Sequence, residues 1–145
     1  MKRGKEVKLD INPNYKISVG TVDNKNPKSI YISLSAWGQL LKEENEIDYD
    51  RIINKIRKDI KRTLNVNLNK EDFYNDKYIV DLDMRSSGIS YKKRSFMSCE
   101  ITLFQKNIIP VHKPKVINGA TVLINNLIKE CLNKQPYFNF YKTKK

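Results

Sequence analysis

The sequence predicts a single α+β domain: a mostly antiparallel sheet of four to five strands with two helices on one face, in the order ββα-ββ(β)α. The chain has 145 residues, a length typical of one domain. Apolar and polar residues alternate in several short segments, as in half-buried strands, and apolar residues recur at helical spacing in two longer segments. Because each helical segment offers a single apolar stripe, we expect both helices to cover the same face of the sheet.

The folded domain is expected to span residues 15–133. In this interpretation residues 1–14 form a charged N-terminal arm, and residues 134–145 form a basic, aromatic C-terminal tail. The tail is expected to lie outside the sheet.

The first two strands are predicted to form a hairpin. Residues 15–22 and 29–37 alternate between apolar and polar side chains, and an Asp/Asn/Pro cluster at 23–27 indicates the turn between them. One face of the second strand combines serines with Tyr31 and Trp37. We interpret this polar-aromatic face as either an exposed ligand surface or a contact with another subunit.

A basic amphipathic helix is predicted to follow the hairpin. Acidic residues at 43–50 precede the apolar periodicity, as expected where negative side chains meet the positive end of a helix dipole. Isoleucines at helical spacing form the apolar stripe, and lysines and arginines occupy much of the remaining surface. The helix is expected to end near Asn65.

The second half of the chain is predicted to contain two long strands and a second helix. Alternation indicates strands over residues 78–85 and 96–104, and residues 107–111 are expected to add a short third strand. Pro114 suits the first turn of the final helix, where its missing N–H is not needed. A broad apolar stripe over residues 116–132 predicts that this helix is the most deeply packed element.

The charge balance points to an acidic partner. Lys and Arg together number 28 against 16 Asp and Glu, a net charge of +12. Nucleic acid, or neighbouring subunits of the same assembly, would suit such a chain. Lysine outnumbers arginine, and Asn and Ile are abundant, which is typical of an AT-rich genome. Part of the positive charge is therefore attributed to codon bias and not to a binding site.

Catalytic, metal-binding and membrane functions are not indicated. No apolar stretch approaches the roughly 18 residues of a membrane span. Asp81 and Asp83 share a strand face, which can bind Mg²⁺, but no third acid stands near them in the sequence. The glycines match no phosphate-binding loop, His112 is expected in a turn, and Cys99 and Cys131 are expected to be reduced core thiols. We therefore expect a non-enzymatic protein with no metal, no cofactor, no small-molecule substrate and no membrane partner.

Two basic segments are candidates for nucleic-acid contact. Residues 85–94 place four cations around a tyrosine at an expected hairpin tip, which suits phosphate contact with base stacking. The tail combines four aromatic residues with lysines. The alternatives are a solvated hairpin tip, and a tail that docks on its own domain or on a neighbouring copy, because large aromatics are costly to leave in water. The candidate nucleic-acid-binding residues are Arg85, Tyr91, Lys92, Lys93, Arg94, Lys142, Lys144 and Lys145, and the candidate subunit-contact residues are Tyr31, Trp37, Tyr137, Phe138, Phe140 and Tyr141.

A family resemblance is carried by three segments: NPKSIYISLSAW at residues 26–37, VDLDMRSSG at 80–88 and RSFM at 94–97. They look like segments of small virion proteins of crAss-like Bacteroidetes phages. The resemblance implies an oligomeric head-tail connector or ring component, made in the bacterial host cytoplasm and located in the virion. Its implied partners are copies of itself and other virion proteins, with DNA nearby. The competing interpretation, which comes from the residues themselves, is a single-stranded DNA- or RNA-binding protein.

Overall fold

The computed structural model describes residues 5–22, 28–41, 49–68, 71–87 and 94–143. Within these ranges the chain forms six strands and two long helices, and a π-helical turn over Ile128–Leu132 continues the second helix. None of the helices in these ranges is long and apolar enough to cross a membrane. The strands are β1 (Glu6–Leu9), β2 (Lys16–Thr21), β3 (Ser29–Leu40), β4 (Phe73–Ser87), β5 (Arg94–Gln105) and β6 (Phe138–Phe140), and the helices are α1 (Tyr49–Asn67) and α2 (Pro114–Leu127).

All six strands join one antiparallel sheet with the order β1-β2-β3-β5-β4, and β6 pairs with β3. The central strand β3 pairs with β5 along one edge and with β2 and then β6 along the other. Because β5 lies between β3 and β4, these two strands run parallel, and the connection through α1 passes over β5. The strands β1 and β4 therefore form the two edges of the sheet.

One face of the sheet, called the inner face, carries the hydrophobic core. A typical cross-strand row joins Ile17, Leu34, Cys99 and Leu82, all buried. Both helices turn their apolar stripes towards these rows and share one core cluster with them. The buried helical residues are Ile52, Ile56, Ile60 and Leu64 from α1, and Val116, Ala120, Leu123, Ile124, Leu127, Ile128, Cys131 and Leu132 from α2 and its continuation.

The predicted α+β class is confirmed, with a mostly antiparallel sheet and two helices, but the strand count is corrected to six. Residues 107–111, expected as a short strand, are irregular chain, held in part where the Ile109 N–H donates to Gln105 Oε1 at 2.8 Å. The additional strands lie in the segments assigned to the arm and the tail. In β1, Val7 and Leu9 are half-buried, but the strand has only four residues and its charged neighbours obscure the alternation.

The tail reaches the sheet through a turn organised by Gln135. Its Oε1 accepts hydrogen bonds from the N–H groups of Tyr137 and Phe138, both at 2.9 Å, and its Nε2 donates to the Phe138 carbonyl at 2.6 Å. The strand β6 then pairs with residues 38–40, on the edge of β3 beyond the end of β2. Phe138 is buried in the core. The segment that was expected to lie outside the sheet is therefore part of it.

Candidate nucleic-acid interface

The second face of the sheet, called the outer face, is polar and aromatic. Both helices pack on the inner face, so within the described ranges the outer face is open. As the alternation predicts, β3 presents Ser33, Ser35 and Trp37 on this face, and 40% of Trp37 is exposed. A ligand can therefore reach these side chains without displacing a helix.

Trp37 is the centre of a cluster at one end of the outer face. The pairing of β3 with β5 sets Phe96 beside Trp37, with ring centres 5.0 Å apart. The Arg94 guanidinium lies 4.8 Å from the centre of the Trp37 ring, within range of a cation–π interaction. Next to Phe96, β4 contributes Arg85, whose Nε donates to Asp83 Oδ2 at 2.9 Å. Three strands thus bring two aromatic rings and two guanidinium groups together.

The tail brings a further aromatic residue to the same end of the sheet. The N–H of Tyr141 donates to the Trp37 carbonyl at 2.8 Å, which extends the pairing of β6 by one position. Because Phe138 and Phe140 belong to or pack against the core, the alternation of an extended chain places Tyr141 on the outer face beside Trp37. Lys142 follows and is exposed. We call the set Trp37, Phe96, Tyr141, Arg85 and Arg94 the aromatic corner.

Tyr31, the other outer-face aromatic predicted on β3, is used within its own chain. Its ring lies across Gly20, and its hydroxyl donates to Glu6 Oε2 at 2.6 Å. Only 1% of Tyr31 is exposed. The residue is on the predicted face, but little of its surface remains for a second subunit.

The remaining tail aromatics are directed towards the core. Phe140 packs against Tyr15 with ring centres 5.4 Å apart and lies 6.3 Å from Phe138. Tyr137 is half-buried against the core cluster. Tyr137, Phe138 and Phe140 therefore dock on their own domain, which is one of the alternatives considered for the tail. Tyr141 differs from them because it lies on the outer face.

Phe96, a member of the aromatic corner, was not among the candidates predicted from the sequence. Phe96 was recognised as part of a strand, but its place beside Trp37 depends on the β3–β5 register, which the sequence does not encode locally. Arg85 and Arg94, which flank the predicted basic loop, are both exposed and both lie in the aromatic corner. The candidates outside the described residues are Tyr91, Lys92, Lys93, Lys144 and Lys145.

The β4 side of the outer face is acidic. Asp81 on β4 pairs in register with Glu100 on β5, and Asp83 is two positions along the same face. We call Asp81, Asp83 and Glu100 the acidic patch. Over the described ranges, no three His, Cys, Asp or Glu side chains are grouped closely enough to hold a metal ion. Asp83 is ion-paired with Arg85, and Arg57 from α1 lines the same concave surface as the patch. The three carboxylates and two guanidinium groups leave a small net negative charge, which disfavours phosphate.

The two cysteines are buried and unbridged, as predicted. Burial raises the pKa of Cys99 to about 12 and also raises the pKa of Cys131, whose Sγ lies 2.9 Å from Thr63 Oγ1. Because the thiolate is the reactive form, a raised pKa disfavours nucleophilic reaction at both thiols. His112 lies exposed in a turn, as predicted.

Comparison with protein-family models, with curated proteins and with solved structures gives no match for this chain. The resemblance to virion proteins of crAss-like phages stays a prediction.

Proposed function

We propose that this chain is a non-enzymatic protein that binds single-stranded nucleic acid by stacking bases on the aromatic corner. The observation that supports this best is the partly exposed Trp37 ring on an open sheet face, close to both Phe96 and the Arg94 guanidinium. Stacking of one base on such a ring contributes about 1–3 kcal/mol. The guanidinium groups of Arg85 and Arg94 are suited to phosphate contact, and the net charge of +12 adds a general attraction.

A single strand fits this surface better than a duplex. In a duplex the base faces are stacked on one another, whereas the bases of a single strand can be splayed out onto aromatic side chains. The flat array of rings on β3, β5 and the tail matches unpaired bases.

Trp37 provides a direct test because it is the one tryptophan of the chain. Stacking of a base on the indole is expected to quench its fluorescence during titration with oligo-dT. Trp37→Ala is expected to weaken binding of a labelled oligonucleotide, measured by fluorescence anisotropy, by about 1–3 kcal/mol, or roughly 5- to 150-fold. Trp37→Phe keeps a ring and is expected to retain most of the affinity.

Tyr74→Ala is the matched control. Tyr74 is also an exposed aromatic beside cations, with Lys77 Nζ at 5.0 Å and Lys106 Nζ at 5.9 Å from its ring centre, but it lies at the opposite end of β4 from Arg85. Its loss is expected to change affinity by less than about twofold, because no base stacks there. Equal losses from Tyr74→Ala and Trp37→Ala would contradict a site at the aromatic corner. Absence of binding by the wild-type chain at low salt would remove the proposed function.

A second proposal is an oligomeric structural component of a phage particle, of the head-tail connector or ring type. The observation that favours it is β4, an edge strand of 15 residues with no strand on its far side among the described residues. A long free edge is a template for pairing with another chain. Tyr31 and the tail residue Phe138 were candidate subunit contacts, but both are buried within their own chain. These two residues therefore do not support the second proposal.

The second proposal is tested by the mass in solution, measured by light scattering at several concentrations. The mass is expected to rise to a multiple of 17.1 kDa. Ile79→Lys places a charge on the exposed side of β4 and is expected to shift the mass towards the monomer. Val122→Lys, at a similarly exposed apolar position on α2, is the control. A strict monomer that never enters purified particles would count against this proposal.

A further inference from the structure

The outer face is divided by charge across its strands. Two neighbouring cross-strand rows each begin with a lysine on the β1–β2 side and end in the acidic patch on the β4 side. Serine hydroxyls occupy the positions between. The first row is Lys16, Ser35, Ser98 and Asp83, and the second is Lys8, Ser18, Ser33, Glu100 and Asp81.

The lysine side of these rows is a groove. The groove has a volume of about 460 Å³ and is bordered by the tail at Thr143. Its lining includes Lys8, Lys16, Ser18, Ser33 and Ser35. We call these five residues the lysine–serine groove. Both lysines are exposed. Ammonium and hydroxyl groups are donors that commonly contact nucleic-acid phosphates.

The groove and the acidic patch act on a bound phosphate separately. Neighbouring strands lie about 4.8 Å apart, so the backbones of Lys16 and Asp83, three strands apart, are separated by about 14 Å. This exceeds the Debye length of about 8 Å at physiological ionic strength. A phosphate over β2 is therefore little affected by the acidic patch, and the nearest carboxylates are those of Glu6 and Asp10 on β1 and just after it, which partly offset the two lysines. A phosphate over β4 would meet the carboxylates of the acidic patch directly.

We propose that a single strand stacked on the aromatic corner continues over β3 and β2 towards β1, with its phosphates in the lysine–serine groove, and does not run over the acidic patch. This inference rests on the proposed nucleic-acid-binding function. The groove adjoins the corner because Ser35 and Trp37 are successive residues on the same face of β3. Glu6 and Asp10 line the β1 end of the same concave surface, so the phosphate path ends there.

The test is the pair Lys8→Glu with Lys16→Glu, titrated with a labelled oligo-dT of about 12 nucleotides over a salt series. Affinity is expected to fall at least about tenfold, and the log–log salt slope to become shallower by about 1.4, since each phosphate contact on a single strand contributes about 0.7. Quenching of Trp37 at saturation is expected to persist, because the aromatic corner is intact. The pair Lys8→Gln with Lys16→Gln gives the same direction with a smaller effect, and keeps the test valid if charge reversal disturbs the β1–β2 pairing.

Two control pairs separate the outcomes. Lys113→Glu with Lys129→Glu makes the same charge change at exposed positions around α2 and is expected to leave the salt slope unchanged. Asp81→Asn with Glu100→Gln, which leaves the Asp83–Arg85 pair intact, is expected to change affinity by less than about twofold, and a tenfold gain would instead place the strand over the acidic patch. If the Lys8/Lys16 pair behaves like the Lys113/Lys129 pair while wild type still quenches Trp37, the path is wrong and the proposed function stands. If wild type shows neither quenching nor binding, the proposed function itself fails.

Discussion

Gly20 and Tyr31 explain how a large aromatic ring is buried on an open sheet face. An ideal Cβ on Gly20 would lie 2.5 Å from both Cζ and Oη of Tyr31, so the ring occupies the space that any other residue would need. The ring extends from β3 across β2, and its hydroxyl reaches Glu6 on β1. A single side chain therefore connects three strands, including the short edge strand β1.

Gly20→Ala is expected to lower the free energy of unfolding by about 1–3 kcal/mol in urea denaturation. The new methyl group displaces the Tyr31 ring, which then loses its contact with β2 and its hydrogen bond to Glu6. Gly119→Ala is the matched control, because an ideal Cβ there meets nothing within 4 Å and alanine favours the helix. The control is expected to gain about 0.5–1 kcal/mol. Wild-type stability in Gly20→Ala would mean that the ring is not held over β2.

At the scale of secondary-structure elements, the short strand β6 is stabilised mainly by contacts of the residues on either side of it. Three residues make too short a strand to hold by themselves, but three further features fix it. The Gln135 side chain organises the preceding turn, Phe138 enters the core, and the hydroxyl of Thr143 donates to the Pro13 carbonyl at 2.8 Å beyond the strand. The tail is thus attached at both of its described ends.

Gln135→Ala is expected to loosen β6 without unfolding the domain. The substitution removes the side-chain partners of the Tyr137 and Phe138 N–H groups, each hydrogen bond contributing about 0.5–1.5 kcal/mol. Hydrogen exchange at residues 138–140 and 38–40 is expected to become about tenfold faster or more, while β5 keeps its protection. Gln39→Ala, at an exposed position paired with Asn139, is the control. Unchanged exchange in Gln135→Ala would contradict this role.

Across the whole molecule, the sequence predicts the inner face well because the buried positions recur at the regular spacing of a strand or a helix. Ile30, Ile32 and Leu34 repeat every second residue, and Ile52, Ile56 and Ile60 repeat every fourth, so the core-facing positions of β3 and α1 follow from the pattern. The strands β1 and β6 were not recognised because they have only four and three residues and are only partly buried. In β6, Phe138 and Phe140 stand two apart, but three residues give no period to detect.

The aromatic corner could be predicted only in part. Trp37 and Tyr141 were predicted as subunit contacts and Arg94 as a nucleic-acid contact, and the three residues are far apart in the sequence. What unites them is the register of β5 on β3 and the position of β6 on the same strand. Those pairings are long-range properties of the sheet, and local propensity carries no information about them.

The placement of Tyr141 couples the tail to the proposed ligand. Since the same residue is hydrogen-bonded to the Trp37 backbone and belongs to the aromatic corner, a strand that contacts it binds the docked tail and not the released one. Thermodynamic linkage then requires reciprocity: whatever factor of affinity the docked tail adds for the nucleic acid, the bound nucleic acid adds to the equilibrium constant for docking. The C-terminal segment would in that case be more firmly docked when nucleic acid occupies the outer face. Binding on one face of the sheet would thus stabilise the packing of Phe138 in the core on the other face.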